Sequence, residues 1–297
     1  MGTSTQTSST PSAWPVDQSS AVTVLKTNSL QPSGLTIYVD SNNVSWLYLV
    51  SNDGNVARRK LDLSDNWDAH KYGEGSQYDF EAITAAKGKL MIGIEGGDSG
   101  GSPTYAHIRR FDPENNSEIA IGNFSDSIWI LRKPEPEENT GMEAMTFIPD
   151  GQYPSSWGTS SYYGGLFLAA FQSEPGRIYV YDLPQGQGLT QNVNPIGSFR
   201  SPALNMMISD MYYSTEKNIL YVLYDDATDA LQELALNSHG TGFVQNYLTT
   251  PPYVGCEAVA QTGNNLYIGL DQEGTQMSDN GLTANYVYEY PGFTNHQ

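Results

Sequence analysis

The chain has 297 residues, with 33 Asp and Glu against 14 Lys and Arg, giving a formal net charge of -19. That balance argues against a nucleic-acid partner, which needs a basic face, and against adhesion to anionic membranes. One cysteine, Cys256, rules out an internal disulfide.

Residues 1–19 are rich in Ser, Thr, Gln and Pro and have little to bury, so a disordered tail is expected there. From residue 20 to 297 the sequence reads as a single domain. Ala21-Val22-Thr23-Val24-Leu25 reads as a strand. A short phrase then recurs along the chain. Its strong copies are Asp79-Phe80-Glu81-Ala82-Ile83-Thr84, Gly141-Met142-Glu143-Ala144-Met145-Thr146 and Gly255-Cys256-Glu257-Ala258-Val259-Ala260. Pro32-Ser33-Gly34-Leu35-Thr36 and Ile208-Ser209-Asp210-Met211-Tyr212 carry serine in place of the glutamate. The copies are spaced by roughly 48 to 66 residues, the size of a propeller blade.

Each phrase is followed by turn residues and then an apolar run: Leu47–Val50, Leu90–Gly93, Leu166–Ala169, Leu220–Leu223 and Leu266–Gly269. Alternating segments follow at Val56–Leu61, Ala106–Phe111, Arg177–Tyr181, Leu231–Leu234 and Tyr286–Tyr290. Glu118–Ile121 and Phe243–Tyr247 are expected as outer strands. Long segments of helical period are absent, and Gly and Pro punctuate short strands, which points to an all-β fold. The reading is a five-bladed β-propeller whose N-terminal strand closes the last blade and removes the open edge. Long insertions are expected at about 150–165 and 272–284.

In a propeller the first strand of each blade lines the central channel. The repeat therefore places Ser33, Glu81, Glu143, Ser209 and Glu257 in a ring about the axis. Three carboxylates so confined repel one another and resist ionisation unless a cation compensates them. An all-oxygen ring suits Ca²⁺. The histidines, His70, His107, His239 and His296, are scattered and offer no zinc cluster. Cys256 beside Glu257 reads as a small packed residue.

The second strand of each blade returns to the same face, so its end adds an acidic rim. Asn52 and Asp53, Glu95, Gln172 to Glu174, Asp225 and Asp226, and Asp271 fall there. Of these, Glu95, Asp225 and Asp271 are candidate general bases. Rim loops add Tyr78, Tyr105 and Lys133. They also add Trp129, Arg132, Arg200 and Tyr253, expected to bind substrate. Gly96–Gly101 lacks the lysine of a phosphate loop and reads as a flexible connection. Arg58, Arg59, Arg109 and Arg110 read as cations on blade surfaces.

The in-register order Ser, Glu, Glu, Ser, Glu resembles the calcium site of the calcium-activated nucleotidases, the five-bladed apyrases. That resemblance implies that Ser33, Glu81, Glu143, Ser209 and Glu257 hold an axial Ca²⁺ that also contacts substrate phosphates. Pro32-Ser33-Gly34-Leu35, followed by Leu47-Tyr48-Leu49-Val50-Ser51-Asn52-Asp53-Gly54, is similar to the esterase-like phytase and SdiA-regulated propellers.

The expected activity is a calcium-dependent hydrolase of a small molecule, acting on a phosphate ester or anhydride, or on an ester or lactone. Two alternatives stand beside it. One is a lyase, isomerase or cyclase working by carboxylate acid–base chemistry. The other is a binding module with structural Ca²⁺ and loop aromatics such as Trp129, Trp157 and Tyr253 stacking on a glycan. A monomer is expected. The triplets Asn43-Val44-Ser45, Asn115-Asn116-Ser117 and Asn123-Phe124-Ser125 are glycosylation sequons and suggest secretion.

Overall fold

A computed structural model of the chain describes residues 12–15, 23–26, 30–62, 66–75, 78–96, 105–113, 121–133, 141–172, 175–186, 188–201, 206–225, 229–252, 255–270 and 286–293. Strand β1 (Thr23–Lys26) comes first but belongs to the last blade. Blade one is β2 (Gly34–Val39), β3 (Ser45–Ser51), β4 (Asn55–Lys60) and β5 (Asp68–Lys71). Blade two contains β6 (Phe80–Ala86), β7 (Lys89–Ile94), β8 (His107–Asp112) and β9 (Asn123–Leu131). Blade three begins with β10 (Met142–Pro149), β11 (Gly165–Phe171) and β12 (Arg177–Tyr181). The chain then lays β13 (Thr190–Val193) against blade two and returns to blade three with β14 (Gly197–Arg200). Blade four is β15 (Met207–Ser214), β16 (Ile219–Asp225), β17 (Ala230–Leu236) and β18 (Phe243–Thr249). Blade five is β19 (Cys256–Thr262), β20 (Asn265–Leu270) and β21 (Tyr286–Pro291), completed by β1.

The protein is therefore an all-β, five-bladed propeller, and the N-terminal strand closes it. Thr23 to Lys26 run antiparallel to Glu289 to Tyr286. The inner strands touch in the order β2, β6, β10, β15, β19 and back to β2, so the ring is complete.

Strand period explains how the blades cohere. Successive side chains of a strand point to opposite faces, and here each face meets a different neighbour. On β3, Leu47 and Leu49 pack toward blade five, whereas Tyr48 and Val50 pack toward blade two. On β7, Leu90, Ile92 and Ile94 face blade one, and Met91 faces blade three. Five buried apolar clusters result, one at each junction between neighbouring blades. Two junctions need a missing side chain. A Cβ on Gly93 would come within 2.5 Å of Met142, and one on Gly269 within 2.6 Å of Pro32.

Several expectations need correction. The outer strand of blade two is β9, not Glu118–Ile121, of which residues 118–120 lie outside the described residues. The visit of β13 to blade two was not expected. It pairs in parallel with β9, from Thr190 opposite Ile128 to Val193 opposite Leu131. Its four residues follow a Pro- and Gly-rich stretch and carry too short a pattern to read as a strand. The insertion between β10 and β11 contains a short 3-10 turn, Ser155–Trp157. The second expected insertion, 272–284, lies outside the described residues, as does most of 1–19.

Ser12–Pro15, inside the segment read as a tail, is docked. The Ser12 amide donates to Leu248 O at 2.8 Å. The Trp14 ring meets Tyr290 at 5.1 Å and Phe293 at 5.5 Å.

Removal of residues 1–26 strips both this contact and the closing strand. At about 1 kcal/mol net per lost ladder hydrogen bond, the thermal transition should fall by on the order of 10 °C. The bared edge of β21 should also promote self-association. Calorimetry and light scattering check this, and an unchanged transition would count against closure as a source of stability.

Candidate functional site

Four of the five inner strands share one irregularity, and it falls on the repeated phrase. The β6–β7 register breaks between Phe80 and Ala82, β10–β11 between Met142 and Ala144, β15–β16 between Ile208 and Asp210, and β19–β20 between Cys256 and Ala258. The residues skipped are Glu81, Glu143, Ser209 and Glu257. A bulge leaves its extra residue unpaired and re-aims the side chain. The repeat thus turns one polar side chain out of the ladder in each of these four blades.

Three of these residues, Glu81, Glu143 and Glu257, line a polar cavity of ≈ 200 Å³ together with Ser33, Asn52, Glu95 and Gln172. Ser33 stands just before β2, and its Oγ accepts from the Asn52 amide at 3.2 Å. Asn52, Glu95 and Gln172 each follow the second strand of their blade, where the acidic rim was expected. Backbone bonds fix the last two: Glu95 N donates to Asp79 O and Gln172 N to Gly141 O, each at 3.0 Å. Among these lining residues none is basic.

Ser209 departs from the expected ring. It is buried, does not line the cavity, and its Oγ donates to Cys256 O on the next inner strand at 2.9 Å. A buried hydroxyl takes the hydrogen bond within its reach. In its place the structure brings in Asp79, which the phrase contained but the ring did not. Asp79, Glu81 and Glu95 each bring a carboxylate oxygen to within 4.8 Å of the others.

Burial and crowding hold protons on Glu81, Glu95 and Glu143. Burial, reinforced by Glu143 and Asp79, pushes the Glu81 carboxyl well above the ordinary range. Burial, with Glu95, Asp79 and Asp225 nearby, raises Glu143 to about 8. Burial and a shared hydrogen bond with Asp79 raise Glu95 to about 7. Glu95 also depends on a neighbour with no side chain. A Cβ on Gly141 would meet Glu95 Cγ at 1.8 Å, so the glutamate lies across that glycine.

The remaining expected site residues fall elsewhere. Asp225 ends β16, close enough to Glu143 to raise its pKa, and it shares a hydrogen bond with Asp229. Asp229 is buried, accepts from Cys256 N at 3.1 Å and is raised to about 7, chiefly by burial. Asp53 turns away from the cavity to bond Ser51 Oγ and Asn55 Nδ2. Trp129 is not a rim residue: it is fully buried in the junction of blades two and three, and its Nε1 donates to Pro184 O. The pleat of β9 aims it inward.

Arg132 lies over the Tyr105 ring at 4.1 Å and donates to Asn192, at the outer edge where β13 joins blade two. Arg200 sits on the outer strand of blade three and donates to Pro175 O. Neither converges on the cavity. Trp157 stacks against Tyr153 at 6.0 Å and Phe199 at 5.5 Å and is half-buried. Asp271, Tyr253 and residues 97–101 lie outside the described residues. Of the blade arginines, Arg58 pairs with Asp68 and Arg109 lies over Phe124, whereas Arg59 is buried over the Trp67 ring rather than on a surface.

No protein-family model and no curated protein matches this chain. Solved structures do. The RRP9 WD40 repeats are 10% identical, with 93% of this chain and 98% of that chain covered and a TM-score of 0.46. A candidate 6-phosphogluconolactonase of Bacteroides uniformis is 14% identical, over 80% of this chain and 78% of that chain, with a TM-score of 0.44. The corresponding protein of Bacteroides fragilis is 13% identical, over 80% and 77%, with a TM-score of 0.45. The assignment of five blades rests on the strand order itself.

The raised carboxyls set the sign of a pH dependence. Their folded pKa values lie above the unfolded ones, so their contribution is most favourable at low pH and is lost as pH rises from about 4.5 to about 8. In chelator, the protein should melt higher at pH 5 than at pH 8.5. Glu143→Gln should flatten this slope and raise the melting temperature at pH 8.5 by on the order of 5 °C. Calorimetry across pH checks both.

Proposed function

We propose that the channel mouth binds a calcium ion and that the protein is a metal-dependent hydrolase of a small phosphate ester or anhydride, or of an ester or lactone. One observation carries this reading: seven residues with oxygen-bearing side chains surround a single cavity, and none of them is basic. The donor set fits the ion. Ca²⁺ takes six to eight oxygen ligands in flexible geometry, from carboxylates, amide and hydroxyl oxygens and water. Ser33, Glu81, Glu143 and Glu257 are the ligands carried over from the sequence reading, with Asn52, Gln172 and Asp79 within the same mouth. When bound, the ion would neutralise the crowded carboxylates and polarise a phosphoryl or ester oxygen.

The chain's own groups have separate tasks. Glu95 is the candidate general base: it lines the cavity, and its pKa of about 7 suits proton transfer near neutrality. Asp79 orients it by sharing a hydrogen bond. The Asn52 and Gln172 carboxamides can each donate to a substrate oxygen. Asp225 does not line the cavity; it lies near enough to Glu143 to raise its pKa and shares a hydrogen bond with Asp229. Arg132 and Arg200 have no part in this arrangement, since both are engaged at the outer edge. The similarity to the calcium-activated nucleotidases and to the esterase-like phytase and SdiA-regulated propellers belongs with this reading and goes no further.

The coupled carboxyl groups favour one alternative, acid–base chemistry on a neutral organic substrate without a metal. Chelator separates the two. Of the aromatics expected to stack on a glycan, Trp129 is buried and Trp157 packs against Tyr153 and Phe199, while Tyr253 lies outside the described residues.

A metal bound to the native state alone raises the melting temperature with the logarithm of its free concentration. Calcium titration should show this rise at pH 7.5, and Glu81→Gln should abolish most of it. A panel of nucleotides, phosphomonoesters, aryl esters and lactones should yield a calcium-dependent turnover. Gly141→Ala should cut that turnover about 100-fold by displacing Glu95, with little change in stability. Failure of every substrate to react would sink the hydrolase assignment.

A further inference from the structure

Four of the five repeated phrases place a small residue directly after the ring position: Gly34, Ala82, Ala144 and Ala258. The fourth phrase places Asp210 there. This side chain is fully buried, among apolar neighbours in the other blades, and so needs a physical reason. Its bonds supply one. Asp210 Oδ1 accepts from its neighbour Met211 N at 2.8 Å. Asp210 Oδ2 accepts from Val259 N at 2.8 Å on the inner strand of blade five, and from Leu35 N at 3.4 Å on the inner strand of blade one.

Blades four and one are not neighbours in the ring, so the bond to Leu35 crosses the channel. By contrast, the ties from Thr84 Oγ1 to Phe147 N, from Thr146 Oγ1 to Tyr213 N and from Ser209 to Cys256 each join adjacent blades. Leu35 and Val259 stand two residues after Ser33 and Glu257, both of which line the cavity.

We propose that Asp210 is the positioning residue of the mouth, fixing across the axis the two inner strands that carry Ser33 and Glu257 and so holding the cavity's oxygens at the spacing a divalent cation needs. It touches neither the ion nor the substrate. The proposal rests on the cation-binding reading above and adds to it the part that sets the geometry. Asn cannot replace the carboxylate. Three N–H donors approach its two oxygens from both sides, so a carboxamide must turn its NH₂ toward at least one of them.

The test is calorimetric titration of the whole chain with CaCl₂ at pH 7.5. Asp210→Asn should fold, by far-UV circular dichroism, and bind calcium at least about 10-fold more weakly than wild type. Tyr224→Phe is the comparison: it removes a buried hydroxyl bonded to Ser201 and Gln232, away from the channel. It should lower the melting temperature and leave the calcium constant unchanged. A folded Asp210→Asn protein that binds calcium like wild type would overturn the positioning role while leaving the cation site standing. Wild type that takes up no calcium overturns both.

Should Asp210→Asn fail to fold, wild-type amide exchange decides. Saturating calcium should slow exchange at Leu35, Met211 and Val259, and unchanged rates there would reject the proposal.

Discussion

Carboxyl groups held closer together than water would allow are the constraint on which this structure turns. Two ionised groups about 5 Å apart near a protein surface repel by about 3 kcal/mol, and burial adds a desolvation cost to each. Asp79, Glu81 and Glu95 are within that range of one another, and Glu143 feels Glu95, Asp79 and Asp225 together. Among the described residues that line the cavity, no basic side chain relieves this. The charge is left to be compensated by protons or by something that enters from solvent.

A fold can hold such a group only if the remainder of the molecule is firm. Here the five inter-blade clusters supply the apolar burial, and strand alternation lets each blade contribute to two of them. Within the channel, threonines and one aspartate absorb inner-strand amides that would otherwise lie unpaired. The bulges stand between these two regions. In four blades they release one side chain from the ladder without ending the strand.

Much of this was legible in the chain, and the limits have physical causes. The blade count came from the repeated phrase, and the recurring glutamate marked Glu81, Glu143 and Glu257 because repeats transmit position. The rim residues Glu95, Asn52 and Gln172 followed from strand direction alone. What repetition cannot transmit is a local bond. Ser209 occupies the ring position, yet a carbonyl on the adjoining strand takes its hydroxyl. Trp129 sits near a strand end, where a loop aromatic was plausible, but the pleat of β9 buried it. Asp79 opens the repeated phrase two residues before Glu81, but the repeat marks only the glutamate position, and only the folded hairpin brings Asp79 to Glu95. Asp210 was visible as a break in the pattern, but its partners are supplied by two other blades.

Protons and a cation relieve the same repulsion with opposite dependence on pH. Proton relief works below the raised pKa values, near 7 for Glu95 and near 8 for Glu143, and fails above them. Cation relief strengthens as ligands lose their protons. The two also differ in what they leave behind for chemistry. A Glu95 that keeps its proton to lessen crowding cannot accept one from water. Compensation by a cation frees that carboxylate while leaving it where Gly141 and Asp79 hold it. Catalysis by this mouth near neutral pH would therefore require the charge to be balanced by something other than the proton that the base must take up.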